Sequence, residues 1–204
     1  MTNIRVLEGS EGEAAVKQLK SVIALAPAED GAPKVDVIKQ NSHQVVPVVH
    51  GGTLTSEIVK KIFDAAKTTG HTSMTAIGLY SPDELHCYSV PMTLEGLDEL
   101  RGTSCGVVNF VLYGGDTEWL IIFDNQLYIG YGQEAFINAL VGSEDKAYQA
   151  FQTTLEGLQA EAKGDSPGYV IQEIKRVSGY LGTALTKLKT DYAQAQEGDM
   201  VNVV

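Results

Sequence analysis

Two cysteines and four histidines are the residues of this chain that could supply a nucleophile or a soft metal ligand. His86 and Cys87 are neighbours on a predicted strand, so their side chains point to opposite faces and cannot pair as a thiol and its base. Cys105 precedes another predicted strand and would need a distant histidine, such as His50 or His71, brought to it by folding. Two cysteines are too few for a disulfide framework. We interpret both as reduced structural thiols and assign no catalytic residue.

The spacing of the residues that could bind a metal ion gives little support for a metal site. Histidines 43, 50, 71 and 86 lack the three- or four-residue spacing of a helical site, and there is no Cys-x-x-Cys pair. Asp116, Glu118 and Asp124 lie at or near neighbouring predicted turns and could surround a hard cation. Turns, however, favour Asp for backbone reasons alone. We therefore predict no metal ligand and no cofactor.

Residues 50–56 lead from a predicted strand into a predicted helix through Gly51 and Gly52. Backbone N–H groups at such a helix entrance can hold an anion. The phosphate-loop pattern is absent, and Glu57 in the first helical turn would compete with a bound anion. One alternative function is therefore a small enzyme or a ligand-binding domain. Its site would be either this helix entrance with His50, or Cys105 with a distant histidine.

Aromatic residues and carboxylates occur together in the predicted β-meander. Trp119 opens one strand and Tyr128 lies on the next, beside turns that carry Asp116, Glu118 and Asp124. Core packing is one interpretation of the aromatic residues. The other is a surface that binds a partner, because Trp and Tyr are favoured at the centres of protein interfaces. We take these five residues as the predicted partner-binding set.

The elements that position these residues are predicted from hydrophobic periodicity and from turn and capping residues. Thr55, Thr93 and Ser143 are predicted N-caps, and Pro47 places its strand at a sheet edge because proline cannot donate to a strand ladder. The fold class predicted is α+β: an antiparallel sheet of about five or six strands with flanking helices on one face. Helices are predicted at 12–26, 56–68, 94–101 and 133–141, and strands at 35–39, 45–49, 73–80, 85–90, 107–113, 119–123 and 127–131.

From residue 143 onwards the pattern is purely helical. A helix capped by Ser143 extends to about residue 163, and Ser166-Pro167 starts a second helix. The apolar residues of both helices follow heptad-like spacing, which is typical of an antiparallel helical hairpin. We predict an α+β domain over 1–142, a hairpin over 143–197 and a tail over 198–204. The hairpin either packs on the domain or projects from it and mediates self-association.

The net charge of −11 is concentrated in the middle of the chain. Residues 68–145 hold eleven acids and a single base, Arg101, which leaves −10. Such an imbalance favours either a well-solvated surface or an acidic face that captures a basic protein. It disfavours direct contact with nucleic acid. We find no export signal and no apolar stretch of membrane length, and so predict a cytoplasmic protein that does not contact membranes.

These patterns lead to one preferred function and two alternatives. The preferred function is a non-enzymatic protein–protein interaction module, such as an inhibitor, an immunity-type protein or an assembly factor. It would use the acidic β-meander to bind a basic partner. The alternatives are the small enzyme or ligand-binding domain described above and a structural subunit of a larger assembly such as a virion.

Overall fold

The computed structural model describes residues 4–27, 33–38, 43–49, 54–79, 85–103, 109–124 and 127–162. Gly51, Gly52, Cys105, the predicted second helix of the hairpin and the tail lie outside these residues. Nine strands occur in the described part of the chain: β1 (Arg5–Leu7), β2 (Ile23–Pro27), β3 (Pro33–Ile38), β4 (Gln44–Val49), β5 (Ser73–Gly78), β6 (Cys87–Pro91), β7 (Phe110–Gly114), β8 (Trp119–Asp124) and β9 (Leu127–Gly132). The helices described are α1 (Gly9–Val22), α2 (Ser56–Lys67), α3 (Leu94–Arg101), α4 (Glu134–Val141) and α5 (Glu144–Ala162).

Seven of the strands form one sheet in the order β1-β6-β5-β7-β8-β9-β4, in which every neighbouring pair is antiparallel. β2 and β3 form a separate antiparallel pair. The predicted α+β class with an antiparallel sheet is confirmed. The main sheet has more strands than expected, because β1 is only three residues long and a strand this short shows no readable periodicity.

Helices cover both faces of the sheet. The Tyr113 hydroxyl donates to the Ala15 carbonyl of α1 at 2.9 Å. Trp119 pairs with Gly114, on the face opposite to Tyr113, and its ring stacks on Phe136 of α4 at 4.9 Å. The prediction that the helices lie on one face is therefore wrong. All five residues of β7 are buried, as expected for a strand that is covered on both sides.

The edge position predicted from Pro47 is confirmed, because β4 is the last strand of the sheet. The edge is covered in part by α5, whose Tyr148 hydroxyl donates to the Val45 carbonyl at 2.8 Å. Tyr148 and Phe151 are both buried. The first half of α5 is thus packed against the sheet, and it protects backbone groups that an open edge would leave unpaired.

The three predicted N-caps are confirmed. Thr55 Oγ1 accepts from the Ile58 amide at 3.3 Å, and Thr93 Oγ1 accepts from the Gly96 amide at 3.0 Å. Ser143 Oγ accepts from the Lys146 amide at 3.2 Å. Each cap satisfies an amide that the helix leaves without a backbone partner.

The first helix differs from the prediction at both ends. It begins at Gly9 rather than at residue 12, and it ends at Val22 rather than at residue 26. Ile23 has an extended backbone, with φ −120° and ψ 158°, and it starts β2. The apolar spacing of residues 22–26 suits a helix, but pairing with β3 holds this segment in the extended conformation. None of the described helices combines the length and apolar character that crossing a membrane requires.

Candidate functional site

One row of paired residues crosses five strands near the ends of those strands. Val90, Met74, Gly114, Trp119 and Gly132 are successive partners along this row. At a strand spacing of about 4.8 Å, the row is roughly 19 Å wide. The chain segments that follow or precede these residues must therefore meet at a single end of the sheet.

Four carboxylates and one leucine are exposed on these segments. Glu95 lies in the first turn of α3, Asp116 and Glu118 lie in the β7–β8 turn, and Glu134 lies in the first turn of α4. Leu94, at the start of α3, is 38% exposed. We call these five residues the acidic end. They combine a negative rim with an exposed apolar side chain.

The β7–β8 turn is held by side chains from two other segments. Gly115 has φ +55°, and a Cβ there would lie 2.4 Å from the His71 ring. Gln18 of α1 donates to the Gly115 carbonyl at 3.0 Å and to Asp116 Oδ1 at 3.3 Å. His71 Nε2 lies 3.1 Å from Glu118 Oε2. Both turn carboxylates are thus oriented by neighbours while they stay exposed.

Positively charged side chains lie away from the acidic end or at its border. Arg101, the single base of residues 68–145, lies at the far end of α3. There it pairs with Asp98 at 3.3 Å and donates to Ser56 Oγ at 3.1 Å. Lys67 ends α2 shortly before His71, so it is a counter-charge near the acidic end. The four carboxylates of the acidic end thus outnumber the ammonium of Lys67.

The two aromatic residues of the predicted partner-binding set are not on the surface. Trp119 is 0% exposed and Tyr128 is 4% exposed. The Tyr128 ring packs on Phe123 with ring centroids 4.3 Å apart, and burial raises the pKa of Tyr128 to about 12. Core packing therefore applies to both side chains, because helices cover the face of the sheet from which they project. Neither presents a contact surface to a partner.

The structure brings together only two of the three predicted carboxylates. Asp116 and Glu118 share one turn, but Asp124 ends β8 and pairs with Leu127 at the opposite end of the sheet. Because Asp124 is five residues beyond Trp119, the two ends are roughly 17 Å apart. Asp124 is therefore not part of the acidic end.

Cys87 has the features of a structural thiol. It is buried, and its Sγ donates to the Leu85 carbonyl at 3.5 Å and lies 3.8 Å from the Gly12 carbonyl oxygen. Burial raises the pKa of Cys87 to about 11, so the nucleophilic thiolate is scarce at neutral pH. Within the described residues, no group of three or more His, Cys, Asp or Glu side chains could hold a metal ion.

Sequence reasoning missed several residues of this surface. Leu94 fits the apolar stripe of α3, in which Leu97 and Leu100 are fully buried, yet it follows the N-cap directly and lies at the exposed start of the helix. Glu95 and Glu134 could be recognised from the sequence as acidic residues in the first turn of a helix. The helix dipole favours acids at that position, so their presence alone did not indicate a binding surface. Gln18 is far from the turn in sequence, so no local signal marks its contact.

No protein-family model, curated protein sequence or solved structure matches this chain. The features that bear on function are those of the acidic end. Its observable properties are the sign of its charge, its exposed leucine and the contacts that orient its turn.

Proposed function

We propose that this protein is a non-enzymatic interaction module, an inhibitor, immunity-type protein or assembly factor, that binds a basic protein through the acidic end. The observation that supports this proposal is the row of pairing that brings Glu95, Asp116, Glu118 and Glu134 to one end of the sheet around Leu94. A purely solubilising charge would need no such arrangement.

The two kinds of side chain would have different effects on binding. Exposed carboxylates of one sign attract a basic protein over a distance and raise the rate of encounter. Leu94 would be covered in the complex, and burial of its side chain would slow dissociation. The predicted aromatic contacts are replaced by this leucine, since Trp119 and Tyr128 are buried.

The remaining parts of the proposal concern the setting of the protein. We place it in the cytoplasm, where Cys87 would stay reduced. A homo-oligomer formed through the helical hairpin remains part of the proposal. The enzyme alternative depends on Gly51, Gly52 or Cys105, which are outside the described residues, and no observation favours it or the structural-subunit alternative.

Affinity purification from the native source tests the proposal with two variants of equal net charge. The first carries Asp116→Lys, Glu118→Lys and Leu94→Ser. The control carries Asp145→Lys, Glu156→Lys and Gln149→Ser, which places its changes on exposed positions of α5. We expect a basic protein to be retained by the wild type and the control, and lost by the first variant. Retention of the same proteins by all three would contradict the proposal.

A further inference from the structure

A groove of about 1020 Å³ lies on the other side of the molecule from α2, between α1 and the β1–β6 edge of the sheet. Its floor is apolar and includes Leu7, Val16, Leu85 and Cys87. Leu7, Val16 and Leu85 are only partly buried and pack against the core. The groove thus offers apolar surface that the described residues leave uncovered.

The groove depends on a close approach between α1 and β1. A Cβ at Gly12 would lie 2.9 Å from the Leu7 carbonyl oxygen, so a larger residue would push the helix away from the strand. This close approach sets the distance between α1 and β1 at the Gly12 end of the groove.

One wall of the groove is the edge strand β1. In the described part of the chain β1 pairs with β6 alone, so one side of its backbone has no strand partner. Val6 on this edge is 50% exposed. Exposed apolar residues on an unpaired edge promote strand addition, and stable proteins usually block them. An extended peptide that adds to β1 would pair these groups and cover Val6.

The charged side chains that line the groove change sign along its length. Glu8 and Glu13 line it near the start of α1, and Lys17 and Lys20 line it farther along the helix. Glu8, directly before α1, and Lys17 are nine residues apart in sequence, or about 13 Å along the helix axis. Four residues of extended chain span about 13 Å, and residues i, i+2 and i+4 face the same side.

We propose that this groove binds an extended peptide of a second partner, antiparallel to β1, with a basic residue at position i, an apolar residue at i+2 and an acidic residue at i+4. The basic residue faces Glu8 and Glu13, the apolar residue contacts Leu7 and Val16, and the acidic residue faces Lys17. The antiparallel direction matches every other pair in the sheet. The groove and its peptide are separate from the acidic end and from the basic protein proposed to bind there.

Selection from a displayed library of random ten-residue peptides, with the intact protein as target, tests the groove. We expect the enriched peptides to share the basic–apolar–acidic pattern at i, i+2 and i+4. Synthetic versions should shift the amide NMR signals of Arg5, Val6 and Leu7. Lys17→Glu should weaken binding about five-fold or more, because it replaces an attraction with a repulsion. Lys146→Glu, at an exposed position of α5, should leave the affinity unchanged.

Four outcomes would overturn the proposal. The library yields no enriched peptide, or its peptides lack the charge order. The bound peptides shift the amides of residues 115–118 instead of those of β1. The β1 amides shift with protein concentration in the absence of peptide, in which case the groove is an interface between two copies of this chain.

Discussion

The ring of His71 occupies the space that a β-carbon at Gly115 would need, with ring atoms 2.4 Å from that position. Gly115 also has φ +55°, a conformation that costs other residues free energy. The same His71 ring lies within hydrogen-bond distance of Glu118. The His71 ring thus contributes both to the shape of the β7–β8 turn and to the direction of the Glu118 carboxylate.

Gly115→Ala should lower the free energy of unfolding by about 2 kcal/mol or more, from the positive φ together with the clash. Gly70→Ala is the matched control, because Gly70 has φ +75° but nothing lies within 4 Å of a Cβ there. It should cost only about 1 kcal/mol. Urea unfolding of both variants provides the comparison. Equal losses would mean that His71 does not occupy this space.

Local signals predicted much of the fold. Thr55, Thr93 and Ser143 cap their helices as expected, because a cap depends on residues within one turn. Pro47 marked an edge strand, since its missing N–H is a property of one residue. Each of these features is determined by neighbours in sequence.

The errors concern features that distant contacts determine. Alternation along a strand assigns side chains to two faces but does not show which face a helix covers, so Trp119 and Tyr128 were open to two interpretations. Leu94 shares the spacing of Leu97 and Leu100, yet its exposure depends on where the helix ends relative to the sheet. The contact of Gln18 with Asp116 joins residues 98 apart in sequence, and no pattern in either segment indicates it.

Leu94 and Leu97 should respond differently to the same substitution. Leu94→Ser should change the free energy of unfolding by no more than about 0.5 kcal/mol, as is usual at a surface position. Leu97→Ser should cost about 3 kcal/mol or more, because it removes buried apolar volume and places a hydroxyl in the core. Thermal and urea unfolding measure both. A large loss from Leu94→Ser would show that this leucine is part of the core.

Alkaline pH should destabilise the protein through its buried thiol and phenols. Burial raises the pKa of Cys87 to about 11, from 9.0, and raises that of Tyr128 to about 12, from 10.0. A group whose pKa is raised by folding stabilises the folded state fully below its unfolded pKa and loses that contribution as the pH rises. Stability should therefore fall from about pH 9 to 11 through Cys87 and from about pH 10 to 12 through Tyr128.

Urea unfolding at several pH values isolates each contribution. Cys87→Ala should flatten the decline between pH 9 and 11, and Tyr128→Phe should flatten it above pH 10. If the free energy of unfolding declined identically with pH in both variants and in the wild type, the decline would not come from Cys87 and Tyr128.

Charge at the acidic end should control how fast the proposed partner associates. Lys67→Glu removes the neighbouring positive charge and should raise the association rate about two-fold or more at low salt. The same substitution also removes an ammonium that lies 5.9 Å from the Phe63 ring centroid, which should cost no more than about 1 kcal/mol of stability. Stopped-flow mixing with the purified partner measures the rate. An unchanged or lower rate would argue against long-range attraction at this surface.

The association rate of the partner at low and high salt tests the central claim most directly, with Asp116→Lys/Glu118→Lys compared against Asp145→Lys/Glu156→Lys. The screening length falls from about 10 Å at 0.1 M salt to about 3 Å at 1 M. We predict that the wild type and the α5 variant associate about ten-fold or more faster at low salt than at high salt, and that the turn variant loses most of this difference. Rates that do not depend on salt, or that fall equally in both variants, would contradict the proposal that the acidic end binds a basic protein.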